Sequence, residues 1–178
     1  MSFVNQFFIS DTHFSHELMV LSRPFSSVNE MDRFMIDAWN SVARENDIVW
    51  HLGDFSFTDE KRTRVIFNQL NGRKRLILGN HDLHSDGSIR KSVAQLAWDR
   101  QPVQMADIRV DGERVILCHY AMLAWPAQHR GSFHFYGHSH GKLTAPGRAR
   151  DVGVDVPDVA FTPRTFTELR LGMEVTDD

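Results

Sequence analysis

The chain has a single cysteine, Cys118. That excludes an internal disulfide and any metal site built from several thiolates, so a bound metal would rest on imidazole, carboxylate or amide groups. It also fits an intracellular setting, and a cytoplasmic protein is the expectation. Within Val115-Ile116-Leu117-Cys118 the thiol itself reads as a small buried hydrophobe. Long hydrophobic runs are missing too. No stretch approaches the roughly 20 apolar residues that span a bilayer, and the amino terminus enters a strand-like run without a basic segment or cleavage site, so neither a membrane partner nor a leader is expected. Positive charge is not in excess, because 20 Lys and Arg stand against 23 Asp and Glu for a net charge of −3. Without clustered cations to release counterions from phosphates, duplex nucleic acid is not an expected partner, whereas a nucleotide-sized substrate is compatible. No repeat, low-complexity tract or linker divides the chain. A single domain, 1–178, is expected, long enough to bury a core.

What is present is a series of apolar runs that each end in a polar, metal-competent residue. Phe7-Phe8-Ile9 leads to Asp11-Thr12-His13, and Ile48-Val49-Trp50 to Gly53-Asp54. Leu76-Ile77-Leu78 leads to Gly79-Asn80-His81-Asp82, Val115-Ile116-Leu117 to His119, and Phe133 to Tyr136 to Gly137-His138-Ser139-His140. One such His is ordinarily a surface or satisfied core residue. Five at the ends of five strands indicate a common crevice, because ligands bind where the carboxyl ends of buried strands open.

Hydrophobic periodicity supplies the connections. A strand over Phe3 to Ile9 precedes a helix with Asn29 as N-cap, Asp32 at its third position, and Met31, Phe34, Met35, Ala38, Trp39 and Val42 on the buried face. A strand from Asp47 to Leu52, a helix with Val65, Ile66 and Leu70 inward, the turn Asn71-Gly72 and a strand from Arg75 to Leu78 complete a βαβ pattern, hence a largely parallel sheet with helices. A further helix is expected on Ile89, Val93, Leu96 and Ala97. Asp111-Gly112 then joins Val103–Val110 to Glu113–Cys118 as a hairpin, so the second half reads as more antiparallel, a second sheet on the first. Tyr120 to Arg130 reads as irregular, with Trp125-Pro126 as either a substrate wall or packing. The tail reads as a strand near Asp151 to Val154 and a short helix around Thr165 to Leu171, with Thr165 and Glu168 spaced as a capping box.

Asp11 and His13, like His138 and His140, are two residues apart, which in extended backbone puts both side chains on one side. His16 lies close enough to line the pocket but reads first as a solvated loop residue, and His129 and His134 read as structural or exposed. The remaining candidates, Asp11, His13, Asp54, Asn80, His119, His138 and His140, combine imidazole, carboxylate and amide. That set suits Mn, Fe, Co, Ni or Zn better than Ca or Mg. Seven ligands exceed one four-coordinate ion and suit two ions sharing a bridge. Two divalent cations against two carboxylates leave an electropositive centre that attracts phosphate and favours a bound hydroxide as nucleophile for in-line displacement. His81 is left to donate a proton to the leaving oxygen.

In order along the chain, Asp11-x-His13, Gly53-Asp54, Gly79-Asn80-His81-Asp82, His119 and Gly137-His138-x-His140 resemble the calcineurin-like metallophosphoesterase superfamily. Arg23-Pro24-Phe25, Trp39-Asn40 and His51-Leu52-Gly53-Asp54 further resemble its small, single-domain bacterial and phage branch. The resemblance implies an α/β fold in which a two-sheet β-sandwich is flanked by helices, a four-layer αββα arrangement. It also implies a dinuclear centre, with Mn the foremost metal. Asp11, His13 and His140 would hold one ion and Asn80, His119 and His138 the other. Asp54 would bridge them, and His81, oriented by Asp82, would act as acid. The expected substrate is a small phosphomonoester or phosphodiester of the nucleotide, cyclic-nucleotide or RNA-end class, with Arg23, Arg73 and Arg130 as candidate phosphate contacts. A non-catalytic scaffold on the same fold is the alternative, and the complete motif set weighs against it.

Overall fold

The computed structural model describes residues 4–171 and residue 173. Phe3, the expected start of the first strand, and the two ends of the expected 1–178 domain lie outside them. Strand β1 (Gln6–Ile9) is central, as its apolar sequence requires. It pairs in parallel with β2 (Ile48–His51), which pairs in parallel with β3 (Arg73–Leu76), and on its other side the short β8 (Arg164–Thr165) runs antiparallel. The second sheet holds β4 (Met105–Val110), β5 (Glu113–Cys118), β6 (Phe133–Tyr136) and β7 (Ala149–Asp151) in that order. Only the β4–β5 hairpin is antiparallel, with Asp111 and Gly112 both at positive φ as a primed turn needs. β5, β6 and β7 run parallel, so the second half is less antiparallel than the hairpin suggests.

Strand alternation decides which core each residue joins. Phe7 and Ile9 face helices α1 (Val28–Val42) and α2 (Glu60–Gln69), packing with Met31, Met35, Trp39, Ile66 and Phe67. Phe8, one residue out of phase, faces the other sheet, where Val115, Leu117, Phe133 and Phe135 close on it; the Phe8 and Phe135 rings meet edge-on at 5.1 Å. Each fully buried Phe contributes roughly 1.5–3 kcal/mol. Ile116 points outward beneath Trp125, Tyr136 and Ala145, so Trp125 is packing rather than a substrate wall. Among the described residues no helix is long and apolar enough to cross a membrane.

Several local expectations shift. The N-cap of α1 is Ser27, whose hydroxyl accepts from Glu30 N, and not Asn29. Asp32 is buried instead, taking bonds from Ser15 and Arg62. A polar member of the inward stripe turns Phe34 outward, to 48% exposure. In α2 the buried pair is Ile66 and Phe67, while Val65 is 48% exposed. β3 begins two residues early, and Ile77 is bridged to Val103 beyond its end. The next helix is the short α3 (Lys91–Ala94), with Val93 buried and Ile89 bridged to Leu83. Thr165 and Glu168 do form the capping box of α4 (Phe166–Arg170).

Past the strand ends Ser10 bridges Gly153 and so joins the two sheets. Within each sheet the pairing runs on, Asp11 N–H donating to Gly53 O and Ile77 N–H to His51 O in the first, and Gly137 N–H to His119 O in the second. The carboxyl ends of β1, β2, β3, β5 and β6 therefore open onto one crevice.

Candidate metal centre

The backbone turns sharply as each strand leaves its sheet. Asp11, His13, Asp54, His138 and His140 all lie at positive φ, between 46° and 65°. The alternation expected for Asp11-x-His13 and His138-x-His140 is therefore corrected: left-handed backbone, not extended strand, brings each pair together. Each such non-glycine residue costs roughly 1–2 kcal/mol, a strain characteristic of functional sites. Two glycines make room. Gly53, at φ +100°, lies against the His119 ring, and Gly79 lies against the Asp54 carboxylate, so a Cβ at either would collide.

The side chains converge in two clusters. In the first, His13 Nε2 and His140 Nε2 each stand 3.9 Å from Asp11 Oδ1. In the second, Asp54, His119 and His138 offer ligand atoms within 4.8 Å of one another, and Asn80 Oδ1 lies 3.1 Å from His119 Nε2. Asp54 Oδ2 lies between the clusters, 3.6 Å from His13 Nε2 and 3.5 Å from His119 Nε2. Its other oxygen accepts the His81 N–H at 2.8 Å. All seven sequence candidates thus reach one place.

The donor set fits cations. His13 is 2% exposed, and neither of its ring nitrogens has a hydrogen-bond partner. An orphaned buried imidazole is costly unless something outside the protein completes it. Its Nε2 stands too far from either carboxylate for a hydrogen bond, at a spacing that suits an ion between them. His119 Nδ1 is 2.7 Å from Leu52 O and so carries the proton, which turns the Nε2 lone pair towards the Asn80 oxygen. Two acceptors that close call for a cation or a proton between them.

Charge agrees. Burial lowers the His13 imidazole to about 3, keeping it a neutral ligand. Burial also lifts the Asp11 carboxyl to about 7, against the pull of His119 and His140. Burial works against Asp54 as well, but hydrogen bonding and charge from His119 hold it at about 2. Burial likewise opposes the charge on His119, and the Asp54 partner outweighs it, raising the imidazole to about 9. A cation entering the second cluster would displace that proton.

Behind each cluster stands a brace. His140 Nδ1 is 2.7 Å from Asp155 Oδ2, and Arg23 grips both Asp155 oxygens at 2.8 Å while donating to the carbonyls of Asp11 and Thr12. Such a carboxylate–histidine pair fixes the tautomer and aim of a metal ligand. Behind the second cluster the fully buried Asp82 accepts from the N–H groups of Asp54, Phe55 and Gly79. Burial raises Asp82 to about 6 despite these bonds.

This corrects three expectations. Asp82 holds the backbone that carries Asp54 and Asn80, and its oxygens bond to those amides rather than to the His81 ring. Arg23 is committed to its brace, and Arg73 begins β3 at the end of the sheet remote from the crevice, beside Asp99. His16 is part of the site wall, its Nδ1 buried and its ring 4.2 Å from Phe57 and 5.6 Å from His13. Arg130 and His129 are exposed in a 3-10 turn, and His134 is buried with Nδ1 at Ile116 O. Asp155 escaped sequence reasoning altogether. An Asp soon after a strand resembled the other motifs, but no His or Gly beside it marked it.

Comparisons with known proteins agree with this geometry. A family model described as the calcineurin-like phosphoesterase superfamily domain matches residues 5–150. The uncharacterized protein MJ1445 of Methanocaldococcus jannaschii is 44% identical over 86 residues, 46% of this chain and 49% of that protein. The gene 66 protein of Mycobacterium phage L5 is 42% identical over 82 residues, 44% of this chain and 40% of its own. The match thus spans half or less of these two relatives. The gene 66 protein of Mycobacterium phage D29 is 27% identical over 163 residues, 78% of this chain and 80% of that protein. In fold, the crystal structure of AQ665 from Aquifex aeolicus, a protein of unknown function, superposes with a TM-score of 0.68 at 24% identity, covering 94% of this chain and 98% of that one.

Proposed function

The chain belongs to the calcineurin-like phosphoesterase superfamily, and from that premise we propose that it hydrolyses small phosphate esters with the help of two divalent cations. Asp11, His13 and His140 would hold one, Asn80, His119 and His138 the other, with Asp54 shared. The observation that carries this reading is the fully orphaned His13 facing Asp54 Oδ2, which in turn faces His119. Bound divalent cations, Mn foremost, supply Lewis-acid stabilisation of phosphoryl oxygens and lower the pKa of water.

The protein's own groups do the rest. Arg23 neutralises Asp155, so only Asp11 and Asp54 set their charge directly against the cations, and the centre stays attractive to an anionic ester. His81 is free of ligand duty. Its backbone N–H is pinned to Asp54, its ring centroid lies 5.2 Å from that of His13, and it is only half-buried, which suits a donor to the leaving oxygen. Asn80 and His138, both exposed, leave the second cluster open for substrate to enter.

The test is hydrolysis of bis-p-nitrophenyl phosphate and p-nitrophenyl phosphate by metal-free protein, then with Mn, Ni, Zn or Mg added. Metal-dependent turnover is expected. Silence with every metal, in folded and metal-loaded protein, would overturn the reading. In addition, His81→Ala is expected to bind both ions yet lose about 10²–10⁴-fold in turnover on an ester with a poor leaving group. Unchanged kinetics there would remove His81 from proton transfer.

A further inference from the structure

Among the described residues three large aromatic side chains are exposed, Phe34, Phe57 and Tyr120, and two of them border the metal clusters. Tyr120 follows β5 directly after His119. It is 47% exposed, with its ring 5.1 Å from that of His119 and 4.8 Å from that of His138. Phe57 is 44% exposed, its ring 4.2 Å from His16 and 5.4 Å from His81, on the side of the first cluster. Its backbone N–H is tied to Phe14 O, so the platform is fixed. Beyond Phe57 lies a cavity of about 610 Å³ walled by His84, Arg90 and Lys91. Two carboxylates also line it, Asp59, whose Oδ1 caps α2, and Glu60.

A phosphate between the clusters with an aromatic platform at each flank matches a diester rather than a monoester, because only a diester has an organic group on both sides. Aromatic faces take planar groups of any sequence, and bases paired in a duplex are not free to stack. Arg90 and Lys91, which share the cavity beside Phe57, offer positive charge to a neighbouring phosphate, and the net charge of −3 allows only a short electrostatic footprint. Resting on the phosphoesterase reading above, we infer that the substrate is a single-stranded oligonucleotide, with the bases on either side of the scissile phosphate stacked on Tyr120 and Phe57. The base on the Phe57 side belongs to the leaving nucleoside, next to His81.

The test measures binding and turnover separately. Fluorescence anisotropy with a labelled, phosphorothioate-linked hexathymidylate reads affinity in metal-loaded and metal-free protein. Phe57→Leu and Tyr120→Leu are each expected to weaken binding by about 5- to 100-fold, the range that stacking of one base implies. Phe57→Tyr and Tyr120→Phe, which keep the ring and guard against a folding defect, should stay close to wild type. Turnover is compared between hexathymidylate and an abasic hexamer with the same sugar-phosphate backbone and leaving group, and a higher kcat/KM is expected for the base-bearing strand. Methyl p-nitrophenyl phosphate, with its activated leaving group, reports phosphoesterase activity alone. Leucine variants that bind as tightly as wild type, a preference for the abasic hexamer, or tighter binding of a duplex would each overturn the inference. Turnover of methyl p-nitrophenyl phosphate would then still stand for the phosphoesterase reading. Conversely, ring-dependent binding without turnover of any ester would support the ligand class and sink the enzyme.

Discussion

The two clusters of candidate metal ligands differ in how they are held. The first, Asp11, His13 and His140, is mostly buried and braced by side chains, because Asp155 aims His140 and Arg23 ties Asp155 to the carbonyls of Asp11 and Thr12. Its partner exposes Asn80 and His138 and is braced through the backbone, where Asp82 collects three N–H groups from the turns that carry Asp54 and Asn80. A buried cluster with a locked histidine is pre-organised for retaining an ion, whereas an open one suits exchange and substrate access. On the proposed two-cation reading the fold would set a retaining seat beside an exchanging one, the difference lying in bracing and exposure more than in ligand types.

Asp54 stands between the two clusters and is proposed to serve both, so replacing it should erase the distinction. Asp54→Asn removes the charge that His13 and His119 both face. Taking one member from a buried ion pair costs about 3–5 kcal/mol, equivalent to about 10²–10⁴-fold. Both metal contents should fall together by mass spectrometry of the purified variant, and activity with them. Full occupancy of two ions would refute the shared role.

Arg23→Lys should separate the seats instead. Lysine keeps the charge but cannot grip two carboxylate oxygens and two carbonyls at once, so Asp155 and His140 lose their alignment. The expected result is a loss of about 10- to 100-fold in affinity of the first cluster, with the second unchanged, as read by competitive titration against a chelator. An equal loss at both would mean that the brace serves the whole fold and not one ion.

How much of this difference could be read from the chain alone is itself uneven. The ligands announce themselves because a buried strand ending in Asp, Asn or His is chemically unusual and the unusual ending recurs at every strand that reaches the crevice. Braces do not. Asp155 is one carboxylate among 23 acidic residues, and what defines it is contact with Arg23, 132 residues away. Asp32 broke the helix pattern for the same reason: hydropathy marks a carboxylate as outward, and only its partners Ser15 and Arg62 explain its burial. The left-handed turns at Asp11, His13, His138 and His140 were equally hidden, since backbone strain is held by tertiary contacts rather than local propensity. Alternation gave the right convergence of these pairs for the wrong geometric reason.

The smallest expected effect tests the backbone brace. Asp82 Oδ2 takes the amides of Asp54 and Gly79, and Oδ1 takes that of Phe55. Asp82→Asn is nearly isosteric, but the new NH2 group must face at least one of these N–H donors, leaving it buried without an acceptor. That costs about 1–3 kcal/mol. The raised carboxyl of Asp82 offsets part of the loss, because a neutral side chain no longer bears the burial penalty of a charge. The net effect should therefore lie towards the lower end of that range, read as a shift of the urea midpoint of metal-free protein. If Asp82 instead acted by orienting His81, the midpoint would stay put while turnover fell with both ions bound, and the contrast between a side-chain brace and a backbone brace would collapse.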